Sequence, residues 1–163
     1  MKKVISFTVL IFTTIITFAQ ASCDETKKEN EYLKKALKIT TPVKNASGSK
    51  IDFNLLKCEG NSKDQTVTLV LTVVNHDANK EFQFANASAI DVEANEYRTY
   101  KINLGSAETR NTIYTDTPVK TTIQFSKILP SAKILKLISV GYYSDTPGRT
   151  LAIEFRDIPV TWL

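Results

Sequence analysis

The sequence predicts an all-β domain, an antiparallel sandwich preceded by a short N-terminal helix, and three observations carry that expectation. From Ile51 onward apolar residues alternate with polar ones at a period of two, the spacing of a strand with one buried face. Clusters of Asn, Asp, Gly, Ser and Pro separate these runs, giving seven or so short strands at intervals of about 10–15 residues. No helical period lies between the strands, which argues against a parallel sheet with crossover helices.

The elements follow in chain order. Met1-Lys2-Lys3 is basic, residues 4–18 are largely apolar, and Ala19-Gln20-Ala21 offers small residues to a signal peptidase. Residues 1–21 are therefore expected to be an export signal, the apolar run being shorter than the roughly 20 residues that span a bilayer. Residues 22–48 follow as helix and linker. The helix is expected over 24–38: Asp24 and Glu25 suit its start, Glu31 and Lys35 are spaced to pair, and Tyr32, Leu33, Ala36 and Leu37 form its apolar stripe. Thr40-Thr41-Pro42 stops it, and the polar stretch 45–50 reads as linker. The sandwich domain is placed at 49–163. Ile51, Phe53 and Leu55 begin its first strand, ending near Cys58.

Residues 65–75 give the strongest strand, with Val67, Leu69, Leu71 and Val73 on one face. A turn over 75–79 precedes two short strands, one at Phe82 and Phe84 and another over 89–92. Residues 97–104 read as one strand and 105–111 as a long polar loop. Val119, Thr121, Ile123 and Phe125 alternate, and Leu129-Pro130-Ser131 makes a crossing connection. Residues 134–143 are apolar on both faces, as in a strand central to its sheet. Leu151, Ile153 and Phe155 form the last strand, whose phase breaks at Asp157; Pro159 implies an edge position or a bulge.

Composition narrows the function classes. The formal charge is +4, and the leader takes two lysines with it, leaving a mature chain of about 140 residues near neutrality, enough for one domain with a real core. Nothing clusters basic residues as nucleic-acid binding requires. Cys23 and Cys58 are the two cysteines. In an exported chain they read first as a disulfide closing a loop of about 36 residues, worth roughly 4 kcal/mol. The competing use of Cys23 is lipidation: Ala21-Ser22 precede it as a lipobox prefers, while Gln20 stands where that motif carries an aliphatic residue. Both uses stay open at this point. Membrane attachment is expected only through such a lipid.

The strand-turn Val67 to Asn75, the connection Leu129-Pro130-Ser131-Ala132-Lys133 and the closing Phe155-Arg156-Asp157-Ile158-Pro159-Val160 resemble the immunoglobulin-like domains of unknown function found in bacterial secreted and surface lipoproteins. The resemblance covers about two-thirds of the mature chain. It implies an immunoglobulin-like β-sandwich with an accessory or binding role, and it carries over no catalytic residue. The Cys…Trp…Cys signature of antibody domains is missing, since Cys23 precedes the strands and Trp162 follows them.

Chemistry has few players. His76 is the only histidine, so any Ser-His-Asp or Cys-His arrangement must use it. It falls in a predicted turn, where a solvent-facing, unconstrained side chain is expected. No HExxH, CxxC or EF-hand loop is present, so neither a metal nor another cofactor is expected, though Asp77 and Asp145 on one loop end would be the carboxylates for a Ca²⁺. The glycines lack phosphate-loop spacing. Tyr97, Tyr100, Tyr114, Tyr142 and Tyr143 gather in the latter half, where loop tyrosines suit a binding surface.

The expectation is thus an exported, non-enzymatic binding or accessory domain of the cell envelope, periplasmic or secreted, with a protein or glycan ligand. Its candidate ligand-binding residues are His76, Asp77, Arg110, Tyr114, Asp145 and Arg149, from turns converging at one end of the sandwich. A lipid-anchored spacer subunit is the alternative, and an inhibitor or enzyme the third.

Overall fold

In a computed structural model of the chain, the alternating runs pair into two mostly antiparallel sheets. The structure describes Lys28, Tyr32 and residues 41–145 and 148–163. The chain divides into two units, Met1–Thr40 and Thr41–Leu163, and all eleven strands among the described residues lie in the second. The expected leader, Cys23 and, apart from Lys28 and Tyr32, whose backbone is helical, the expected helix over 24–38 lie outside the described residues.

The first sheet contains β1 (Lys44–Gly48), β2 (Ile51–Asn61), β3 (Thr66–Asn75), β8 (Val119–Ser126) and β6 (Ile102–Leu104), in that spatial order. β11 (Thr161–Trp162) lies parallel to the far end of β2. The second sheet runs β10 (Thr150–Pro159), β9 (Ile134–Tyr143), β4 (Lys80–Asp91), β5 (Glu96–Thr99), with β7 (Arg110–Ile113) pairing the start of β4. β9 is hydrogen-bonded on both sides, to β10 and β4, and so is interior to its sheet, while Ile134 and Tyr143 on its ends stay exposed. β10 is an edge strand, which accommodates Pro159. One core joins the inner faces: Phe53, Leu55, Leu69 and Phe125 from the first sheet meet Phe84, Ile138, Val140 and Phe155 from the second.

Several local expectations are corrected. Residues 45–50 are not a linker. Residues 44–48 form β1, closed onto β2 by Ser49 and Lys50, both at positive φ (54° and 59°), the backbone of a tight two-residue hairpin. Pro42, which has no N–H to donate, lies just outside β1. The two short strands expected at 81–84 and 89–92 are one twelve-residue strand, β4. A bulge between Phe84 and Asn86 makes Ala85 the extra residue, so Phe82 and Phe84 face the core on even numbers and Ala87 and Ala89 on odd ones.

β2 does the same between Leu55 and Lys57, and its shift turns Cys58 inward opposite Leu69. Cys58 is a buried free thiol; burial, then the neighbouring Glu59, pushes its pKa up to about 12. The strand expected over 97–104 is split between the sheets as β5 and β6, and the loop expected over 105–111 gives up its end to β7.

Two close approaches fix glycines. A Cβ on Gly60 would lie 2.4 Å from the Trp162 ring, which crosses above it and donates its indole N–H to the Ala132 carbonyl (2.9 Å). A Cβ on Gly48 would lie 2.6 Å from the Tyr142 hydroxyl. Tyr142 itself is core, in contact with Phe53 and Phe82 at ring-centroid distances of 5.4 Å each.

Candidate functional site

The hairpin after β1, the turn after β3 and the loop after β7 meet around His76. Asn75, fully buried at the end of β3, donates its amide to the Asp77 and Ala78 carbonyls (2.9 Å each) and so folds the turn back on itself. The His76 amide donates to the Lys50 carbonyl (2.9 Å), and the Asp116 amide to the Asn75 carbonyl (2.7 Å). Thr115 joins through its amide to Asn79 Oδ1 (2.9 Å) and its hydroxyl to the Asp77 carbonyl (2.7 Å).

His76 is exposed but far from unconstrained. Its Nδ1 lies 2.7 Å from Asp116 Oδ1 and its Nε2 2.9 Å from Asp52 Oδ2. Ionised carboxylates only accept hydrogen bonds, so both ring nitrogens must donate, and this geometry selects the imidazolium. The hydrogen bond to Asp116, then that to Asp52, raises the His76 pKa above its ordinary 6.5. Hydrogen bonds from Ser47 (2.7 Å) and then His76 lower that of Asp52. A ring held by carboxylates on both nitrogens is placed as an ionic clasp, since a general base needs one nitrogen free to face a nucleophile.

The structure brings some of the sequence-predicted residues together and separates others. Asp77 adjoins the clasp and pairs with Lys50 (3.4 Å); the Ala78 amide, then Lys50, holds its carboxyl below the usual range. Asp145, after β9, pairs with Lys80 at the start of β4 (3.0 Å). Tyr114 is exposed just before Thr115. Arg149 is exposed at the base of the β9–β10 hairpin, where its carbonyl accepts the Ser144 amide (2.9 Å). Arg110 stands apart, three residues along β7 from Ile113 or about 10 Å, where its Nε and Nη2 bind the two carboxyl oxygens of Glu81. Asp77 and Asp145 thus each have a lysine. Among the described residues no group of three or more His, Cys, Asp and Glu side chains is arranged to hold a metal ion.

A second region lies where the chain passes from β5 to β6 and changes sheets. Thr99 turns inward and donates its hydroxyl to the Gln124 carbonyl (2.7 Å), while accepting the Lys101 amide (3.0 Å). The Gln124 amide donates to the Lys101 carbonyl (3.0 Å), and the Ile102 amide to the Tyr100 carbonyl (3.0 Å). This backbone is therefore pinned to β8 on both sides of Tyr100, a residue that is 71% exposed.

Two shallow depressions share that ring. One, of about 240 Å³, lies on the outer face of β4 and β5 against Asn86, Ser88, Glu96 and Arg98. The other, of about 350 Å³, lies on the outer face of β6 and β8 against Lys101, Asn103, Glu108 and Gln124. Of the five tyrosines singled out above, Tyr142 is core and Tyr97 is partly buried, donating its hydroxyl to Asp91 (2.8 Å).

Sequence reasoning missed Asp52 and Asp116, which lie 24 and 40 residues from His76, and it missed the sheet switch at Tyr100. A signal for the switch was present: the inward positions run Tyr97 and Thr99, then Ile102 and Leu104, a change from odd to even across Tyr100-Lys101. No protein-family model matches the chain, and a search of curated proteins returns no significant match.

Proposed function

We propose that this chain is an exported, non-enzymatic binding domain of the bacterial cell envelope, an immunoglobulin-like sandwich whose recognition surface is the Tyr100 corner. The observation that carries the reading is an aromatic ring largely exposed on a backbone tied down on both sides. A ring largely in water contributes little to folding, and a pinned backbone loses little further entropy when a ligand covers it. By contrast, the charges around His76 are matched by neighbours, so that end serves mainly to join loops. The leader pattern expected over 1–21 and the resemblance to envelope lipoprotein domains support export.

The test is retention on isolated envelope fragments of the native host. Wild-type protein should be retained, and Tyr100→Ala should lose retention at an unchanged melting temperature. Equal retention of the two proteins would remove the corner from the reading.

A second reading is favoured by Cys58. Because that thiol is buried, turned into the core and free, Cys23 is left for a lipid, which would make the chain an anchored spacer. Intact-mass measurement on native protein distinguishes the two, a start at Ser22 against a diacyl or triacyl chain on Cys23.

A further inference from the structure

We infer that the Tyr100 corner takes a neutral oligosaccharide, an assignment that rests on the binding reading above and names its ligand class. The ring is the one exposed apolar surface at the place where the two depressions meet. Apart from the buried Ile102, the residues around it are polar or charged, among them Asn86 and Ser88 on one side and Asn103 and Gln124 on the other, amides and a hydroxyl that donate and accept. Such a surface matches a ligand whose hydroxyls also donate and accept, and whose C–H face can lie on an aromatic ring.

The alternatives fit less well. A protein partner needs an apolar centre in its footprint, with charge kept to the rim, and here a single ring would have to supply it. An anionic polymer needs net positive charge. The formal charges lining the two depressions cancel, Glu96 and Glu108 against Arg98 and Lys101, and Arg98 already donates to Glu96 (2.8 Å). The pinned backbone presents the ring in one orientation, which limits the entropy lost when a sugar face stacks on it.

The test is calorimetric titration of the full exported protein with neutral hexasaccharides of β-linked glucose, mannose, xylose and N-acetylglucosamine, with polygalacturonate as the anionic comparison. At least one neutral hexasaccharide should bind. Tyr100→Ala should then weaken it about tenfold or more and Tyr100→Phe less than about threefold, because stacking needs the ring and not its hydroxyl. Gln124→Ala, which leaves the backbone of the switch intact, should weaken it by a smaller factor, and Glu81→Gln should leave it unchanged.

Binding of polygalacturonate alone, of no saccharide at all, or of a hexasaccharide with full affinity in Tyr100→Ala would overturn the sugar assignment. If envelope retention still depends on Tyr100 in that case, the binding reading stands and its ligand is of another class. If retention is independent of Tyr100 as well, both fall together.

Discussion

At the His76 end, several connections meet and their charged side chains find one another: His76 lies between Asp52 and Asp116, Lys50 meets Asp77, and Lys80 meets Asp145. At the Tyr100 corner the hydrogen bonds run through the backbone and the inward Thr99 hydroxyl, and the Tyr100 ring is turned to water. Both regions are polar and both sit where the chain changes direction. Polarity by itself therefore does not mark a recognition surface. Exposed ion pairs that satisfy each other contribute little energy and organise loops. Groups held in place without being satisfied are the ones a ligand can use.

The largest effect expected from this contrast is in stability. Phe82 lies in the core against Phe53, Phe84 and Tyr142, so Phe82→Ala should cost about 3–5 kcal/mol, whereas Tyr100→Ala should stay within about 0.5 kcal/mol of wild type. Chemical denaturation of both variants measures it, and comparable losses would mean that the Tyr100 ring is structural.

Asn75→Ala comes next. It leaves the Asp77 and Ala78 carbonyls without their buried donor, and should cost about 1–3 kcal/mol. In the same variant the His76 titration should move toward its ordinary value as the turn loosens.

A smaller gain is expected beneath the corner. Among the described residues the Thr121 hydroxyl alone is buried without a hydrogen-bond partner, on β8 opposite Leu104 of β6. Thr121→Val should therefore stabilise the fold by about 1 kcal/mol without changing retention on envelope fragments.

The smallest effect concerns pH. The raised His76 pKa gives a contribution fully present below 6.5 and lost as pH rises through the higher folded value. The lowered Asp52 pKa gives one present above 3.8 and lost as pH falls through the lower folded value. The clasp is therefore complete between those limits. Titration of the His76 ring by nuclear magnetic resonance should give a pKa above 6.5, and Asp52→Asn and Asp116→Asn should each bring it down. A titration at 6.5 in the wild-type protein would mean that the two aspartates do not hold the ring in solution.

The sequence by itself determined the strands where one periodicity ran unbroken. β3 and β8 are legible because Val67 to Val73 and Thr121 to Phe125 repeat every second residue, and a residue's side of the pleat depends only on its neighbours along the chain. The central place of β9 was legible from its apolar run, and Pro159 narrowed the end of β10 to an edge position or a bulge. Where the phase slips, at Leu56, at Ala85 and between Thr99 and Ile102, only the tertiary structure decided the outcome. A slip can mean a turn, a bulge or a change of sheet, and which one occurs depends on the strand that lies alongside. Hence Cys58 is turned into the core, 81–84 and 89–92 are one strand, and 97–104 divides between two sheets at Tyr100. The partners of His76 were beyond local reading for the same reason: Asp52 and Asp116 reach it through the pairing of β2 with β3 and the return of the chain after β7, and such contacts are set by the register of whole strands packing on a shared core.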